Sequence, residues 1–82
     1  MELTFKLMPE LRECLLNHVS ANEGIYGVLL RATEVKEREL LLACQENEAL
    51  RLLHIAKQYC PMAAPHIMIG IVNARLSKIN VP

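Results

Sequence analysis

Hydrophobic and polar residues alternate at the start of the chain: Leu3, Phe5 and Leu7 fall between Glu2, Thr4 and Lys6. A period of two is that of a strand, and an extended N-terminal arm gives the same pattern. Beyond Pro9 the period changes. Leu11, Leu15 and Val19 recur every fourth residue, which places them on one face of a short helix over 10–19. Pro9 suits the first position of that helix. Ser20 and Glu23 have the spacing of a capping box. A second helix is predicted from there to about Ala32, with Ile25, Val28, Leu29 and Ala32 as its apolar stripe. Gly24 and Gly27 weaken it or let a neighbouring helix approach closely, and a strand over 28–35 competes with it.

The stretch from Glu34 to Tyr59 holds neither Gly nor Pro, and nearly every residue in it is a good helix former. Thr33 can cap a third helix from Glu34 to about Gln45. Glu34 and Glu37 would then sit in its first turn, where the dipole favours acids, and Glu34 and Arg38 would pair one turn apart. The polar run Gln45–Glu48 either breaks the segment, with Asn47 capping a fourth helix over 48–59, or lies inside one long helix. Either way Ala49, Leu52, Leu53, Ala56, Tyr59 and Cys60 share an inner face, and Asn47, Arg51, His54 and Gln58 a wet one. Pro61 stops that helix and Pro65 opens a last one to about Ser77. This last helix is apolar nearly all round, which predicts burial on several sides; Ile67, Ile69 and Ile71 also permit a strand. Residues 78–82 read as a tail. The pattern as a whole predicts one all-α domain over 1–82, of four or five short helices, which can carry an extended N-terminal arm.

Composition sharpens this. At 52% hydrophobic but only 4% aromatic residues, the core must be aliphatic, and 82 residues leave more apolar surface than one small core hides. Self-association, with a homodimer as the expected state, would cover the rest. Nine basic and nine acidic residues are interspersed without a basic cluster, so no nucleic-acid partner is expected. The longest apolar run, Ile67–Val72, is far too short to span a bilayer, so no membrane partner is expected either. Three well-separated cysteines, Cys14, Cys44 and Cys60, read as reduced thiols. With a start that lacks a basic segment followed by an apolar run, they place the chain in the cytoplasm.

Candidate chemistry is sparse. The chain has no Asp, which excludes an EF-hand loop, an Asp phospho-acceptor and an Asp-containing triad. Its two serines, Ser20 and Ser77, have local roles at helix ends, and no Gly-rich phosphate loop exists. Cys14-x3-His18 puts a thiol and an imidazole on one helix face, and Cys60-x5-His66 flanks the Pro61 turn. Together they could supply a tetrahedral Cys2His2 zinc site. Neither pair has a tight C-x2-C spacing, and nothing in the spacing forces the pairs to meet, so the expectation is that they bind no metal. Cys60-Pro61 could supply a thiolate to haem iron, but Pro61 is already explained as a helix stop. His54 lies on the wet face beside Arg51, with Lys57 one turn on. His54-Ile55-Ala56-Lys57 resembles the phosphoacceptor segment of a histidine phosphotransfer domain over those four residues, with Gln58 where that family has a small residue. The resemblance implies a helical bundle with an exposed phosphoryl-accepting His54.

The expected function is a non-enzymatic protein–protein interaction or adaptor module that pairs with itself or another protein, with no catalytic residues and no cofactor. Leu41, Leu50, Ile67, Met68 and Ile71 are the expected interaction surface. The rival is a small metal- or phosphoryl-bearing helical domain that uses Cys14, His18, His54, Cys60 or His66.

Overall fold

The computed structural model describes residues 2–79, and of residues 78 and 79 the backbone alone. The order of elements is β1 (Glu2–Leu7), α1 (Pro9–Leu16), α2 (Gly24–Leu30), β2 (Thr33–Lys36), β3 (Glu39–Gln45), α3 (Glu46–Tyr59) and α4 (Ala64–Ile79). The fold is therefore a mixed one, four helices with a three-stranded antiparallel sheet, and the expected all-α helical bundle is overturned. Of the tail expected over 78–82, residues 78 and 79 belong to α4 and the rest lies outside the described residues.

The correction comes from Thr33–Gln45, which forms a β-hairpin in place of the third predicted helix. The sheet order is β1-β3-β2, so β3 is central. Leu3 faces Cys44, Phe5 faces Leu42, and Leu7 faces Leu40, and all six side chains are buried. The alternation at the start of the chain is thus answered by a second alternation within Leu40–Cys44. There it was hidden, because Leu41 and Ala43 on the opposite face are apolar too. The turn also carries no Gly, Pro or Asn signal. Glu37 and Arg38 make it, with Arg38 at φ 60°, a left-handed conformation that costs a side-chain-bearing residue roughly 1–2 kcal/mol. The register shifts between Glu34 and Lys36, leaving Val35 as an irregularity on an exposed edge strand.

The helices follow their local signals more closely. Pro9 opens α1, which ends at Leu16, earlier than expected, although Val19 is still buried. The Ser20–Glu23 pair makes its bonds, Ser20 N to Glu23 Oε2 at 3.2 Å and Asn22 N to Ser20 Oγ at 3.3 Å, but in the turn ahead of α2. The α2 stripe Ile25, Val28 and Leu29 is buried as expected. In α3 the capping box forms between Gln45 and Glu48, whose Oε1 accepts the Gln45 N–H at 2.9 Å. Ala49, Leu52, Leu53 and Ala56 are core, and Asn47, Arg51, His54 and Gln58 are exposed.

Helix α3 packs on both α1 and α4, and α4 lies along β1. The close approach falls at Gly70, where a Cβ would stand 2.8 Å from both the Thr4 carbonyl oxygen and the Phe5 Cβ. Only a residue without a side chain lets the backbone of α4 settle on the strand there. Ile67 and Ile71, one turn apart on the same face, are fully buried beside it. Among the described residues α4 packs mainly on β1 and α3, and its opposite face, with Met68, Ile69, Val72 and Leu76, is exposed, so the helix is less buried than expected.

Candidate functional site

Two features stand out from the scaffold. The first is the corner where the end of α1 meets the end of α3. Cys14 lies one turn before His18, which follows α1 in a turn held by the His18 N–H donating to the Leu15 carbonyl at 3.0 Å. Cys60 is the C-terminal cap of α3, where Pro61 ends the helix, and its N–H still donates to Ala56. Packing of α1 on α3 brings Cys14 and Cys60 together as a disulfide, with their Cα atoms 6.2 Å apart and a sequence separation of 46. The expectation of three reduced thiols is corrected accordingly: among the described residues one cysteine, the buried Cys44, is free.

His18 completes the corner. Its ring stacks on Tyr59, centroid to centroid 4.3 Å and within 8° of parallel. Tyr59, expected on the inner face of α3, is instead 54% exposed, with its ring stacked on the imidazole. A ligand nitrogen of His18 and the sulfurs of Cys14 and Cys60 all lie within 4.8 Å of one another. Cys60 is buried, Cys14 half-buried and His18 exposed, so the cluster opens to solvent from the His18 side. The Cys14 sulfur is 3.7 Å from the Tyr59 carbonyl oxygen, to which it can donate when it is a thiol. Of the four residues proposed as ligands from the sequence, three meet here. His66 does not; it lines a cleft of about 370 Å³ between the outer face of the sheet and α4, with Thr4, Lys6, Leu41, Ile69 and Asn73.

The second feature is the outer face of α4. Met68, Val72 and Leu76 recur every fourth residue, with Ile69 beside them, and these four apolar side chains are 38–57% exposed. Of the residues expected to form an interaction surface, Met68 lies on this stripe, and Leu41 is half-buried in the adjoining cleft. Leu50 is exposed on α3, away from the inner face of that helix. Ile67 and Ile71 are core residues and offer no surface. The sequence did carry a signal for the stripe: a helix apolar all round has more than one face, and only one of them can rest on β1.

His54 is exposed on α3, as expected. The Arg51 guanidinium beside it is engaged elsewhere, with its Nη2 3.1 Å from Glu23 Oε1. The Glu23 carboxyl is held below its ordinary value, first by the Ser20 N–H and then by Arg51. Cys44 behaves in the opposite sense. Burial, aided by the charges of Glu48 and Glu2, pushes its thiol up to about 11, which makes it a poor nucleophile. Among the described residues no helix is long and apolar enough to cross a membrane. No family model, curated protein or solved structure matches the chain.

Proposed function

We propose that this chain is a non-enzymatic interaction module that self-associates through the outer face of α4. One observation carries the reading: α4 has two apolar faces, and among the described residues the fold covers only one. Ile67, Gly70 and Ile71 rest on β1, while Met68, Ile69, Val72 and Leu76 face outward. The stripe from Met68 to Leu76 is about 12 Å long at 1.5 Å per residue. An antiparallel partner helix related by a twofold axis would set the stripe against itself, as self-complementary dimers require. A standard interface buries roughly 800 Å² on each side, more than four side chains supply. The cleft beside α4, with Leu41 on its wall, extends the apolar area toward the sheet.

The phosphotransfer resemblance implied a helical bundle, and the fold contains a sheet; of the two cations near His54, Arg51 pairs with Glu23.

Sedimentation equilibrium at tens of micromolar, roughly the range above the affinity of most stable homodimers, tests the proposal. The expected result is a dimer that Ile69→Glu converts to monomer without changing the circular dichroism spectrum. A monomer at every concentration overturns the reading. Dissociation by Leu50→Glu but not by Ile69→Glu would move the interface to α3 and overturn the assignment to α4.

A further inference from the structure

The corner formed by Cys14, His18 and Cys60 has a use that self-association does not draw on. We propose that, once its disulfide is reduced, this corner binds one zinc-class divalent cation through the two sulfurs and the His18 imidazole, so that metal occupancy reports the thiol redox state of the chain. The proposal rests on geometry. The three donor atoms come from two helix ends, yet lie within 4.8 Å of one another. A tetrahedral zinc with bonds of about 2.0–2.3 Å needs donors roughly 3.3–3.8 Å apart, so shifts on the order of an ångström complete the set.

The imidazole is already directed. A histidine at the end of a short helix is ordinarily free to rotate, but here the Tyr59 ring beneath it holds its plane. Two thiolates and one imidazole favour zinc over magnesium or calcium, which take oxygen donors. Three protein ligands leave the fourth position to solvent on the exposed His18 side.

Two steps connect the states. In the first, two equivalents of a small thiol reductant convert the Cys14–Cys60 disulfide into two thiols and are themselves joined as a disulfide. The S–S bond of the protein breaks, one S–S bond forms in the reductant, and two protons move from the reductant's thiols to Cys14 and Cys60. In the second, the cation displaces those two protons into water and His18 binds as the neutral imidazole. Metal and disulfide exclude each other, because each uses both sulfurs. Cys44 takes no part, being buried in the sheet opposite Leu3.

Titration of the full chain with zinc chloride, before and after reduction, tests this, with cobalt(II) absorption as a second readout. The reduced chain should take one equivalent and the disulfide form under about one tenth of one, the level of adventitious binding. Cobalt should give thiolate-to-metal charge-transfer absorption in the reduced chain only. His18→Ala, a change at an exposed position, should weaken zinc about tenfold or more, since it removes one of three ligands; His66→Ala should change nothing. Cys14→Ser should abolish binding. Should that variant fail to fold, as judged by circular dichroism, His18→Ala still decides the question. The proposal is overturned if the reduced chain takes no zinc at tens of micromolar (an order-of-magnitude range for specific binding). It is equally overturned if the disulfide form binds as much, or if His18→Ala leaves the affinity unchanged.

Discussion

Helices α1 and α4 are fastened to the fold in different ways. Helix α4 has 16 residues and is seated by shape. Gly70 admits the strand backbone, Ile67 and Ile71 fill the space on either side, and no covalent bond is involved. Helix α1 has eight residues, buries only Leu15 completely, and is tied to α3 by the Cys14–Cys60 disulfide. A helix of two turns buries too little apolar surface to hold itself in place, and a crosslink supplies what packing does not. The shape-held seam is apolar where Ile67, Gly70 and Ile71 meet the strand, with His66 and Lys6 along the cleft at its edge. The crosslinked one is polar, open on one side, and chemically reversible.

If that contrast is right, reduction should have the largest effect. A crosslink closing 46 positions removes about 4 kcal/mol worth of unfolded-state freedom on the chain-entropy account. Reduction should therefore lower the thermal midpoint by something on the order of 20 °C for a domain of this size. Melting curves with and without reductant, followed by circular dichroism, measure it. An unchanged midpoint would mean that α1 needs no tie and that the two seams do not differ in kind.

Gly70→Ala probes the other seam. The new methyl group would meet a backbone carbonyl and a Cβ, neither of which can swing aside. The expected loss is about 1–3 kcal/mol, the usual range for overpacking. Gly24→Ala is the control. Its nearest neighbour would be a flexible carboxylate oxygen at 3.8 Å, so a gain of up to about 1 kcal/mol is expected from reduced unfolded-state entropy. Urea midpoints that move equally for both variants would remove the claim that α4 is seated by close approach at Gly70.

The smallest effect concerns the third cysteine, which is buried in the central strand β3. The folded state raises the Cys44 thiol from 9.0 to about 11, so folding favours its protonated form. That contribution is complete below pH 9.0 and is lost as the pH rises through about 11. Urea midpoints should fall over this window in the wild-type chain and fall less in Cys44→Ala. Parallel profiles would show that Cys44 is not shielded in the way its burial implies.

How much of this was legible in the residues varies by segment. Helix α3 was readable because its information is local: Leu52, Leu53 and Ala56 recur at the helical period, and Pro61 marks the stop. The alternation in β1 was equally plain. The hairpin was not, because Leu40–Cys44 is apolar in both phases and Glu37-Arg38 is an unusual turn that tertiary packing tolerates at a cost. The cluster at Cys14 and Cys60 was half legible. The spacing of Cys14 and His18 put both on one helix face, and Cys60 was known to follow the end of another helix, but no local rule places two helix ends side by side.

The sequence by itself determined the α3 helix with its inner and outer faces, the extended start of the chain, the proline-marked helix boundaries, and an aliphatic core. Those are set by periodicity and backbone chemistry within a few residues. Only the tertiary structure decided that Leu40–Cys44 is a strand, that α4 leaves one apolar face uncovered, and that Cys14, His18 and Cys60 meet. Each depends on a partner far away in the chain: β1 for the strand, Thr4 and Phe5 beneath Gly70 for α4, and the packing of α1 on α3 for the corner. Such partners are selected by the free energy of the whole fold, and no single segment records them.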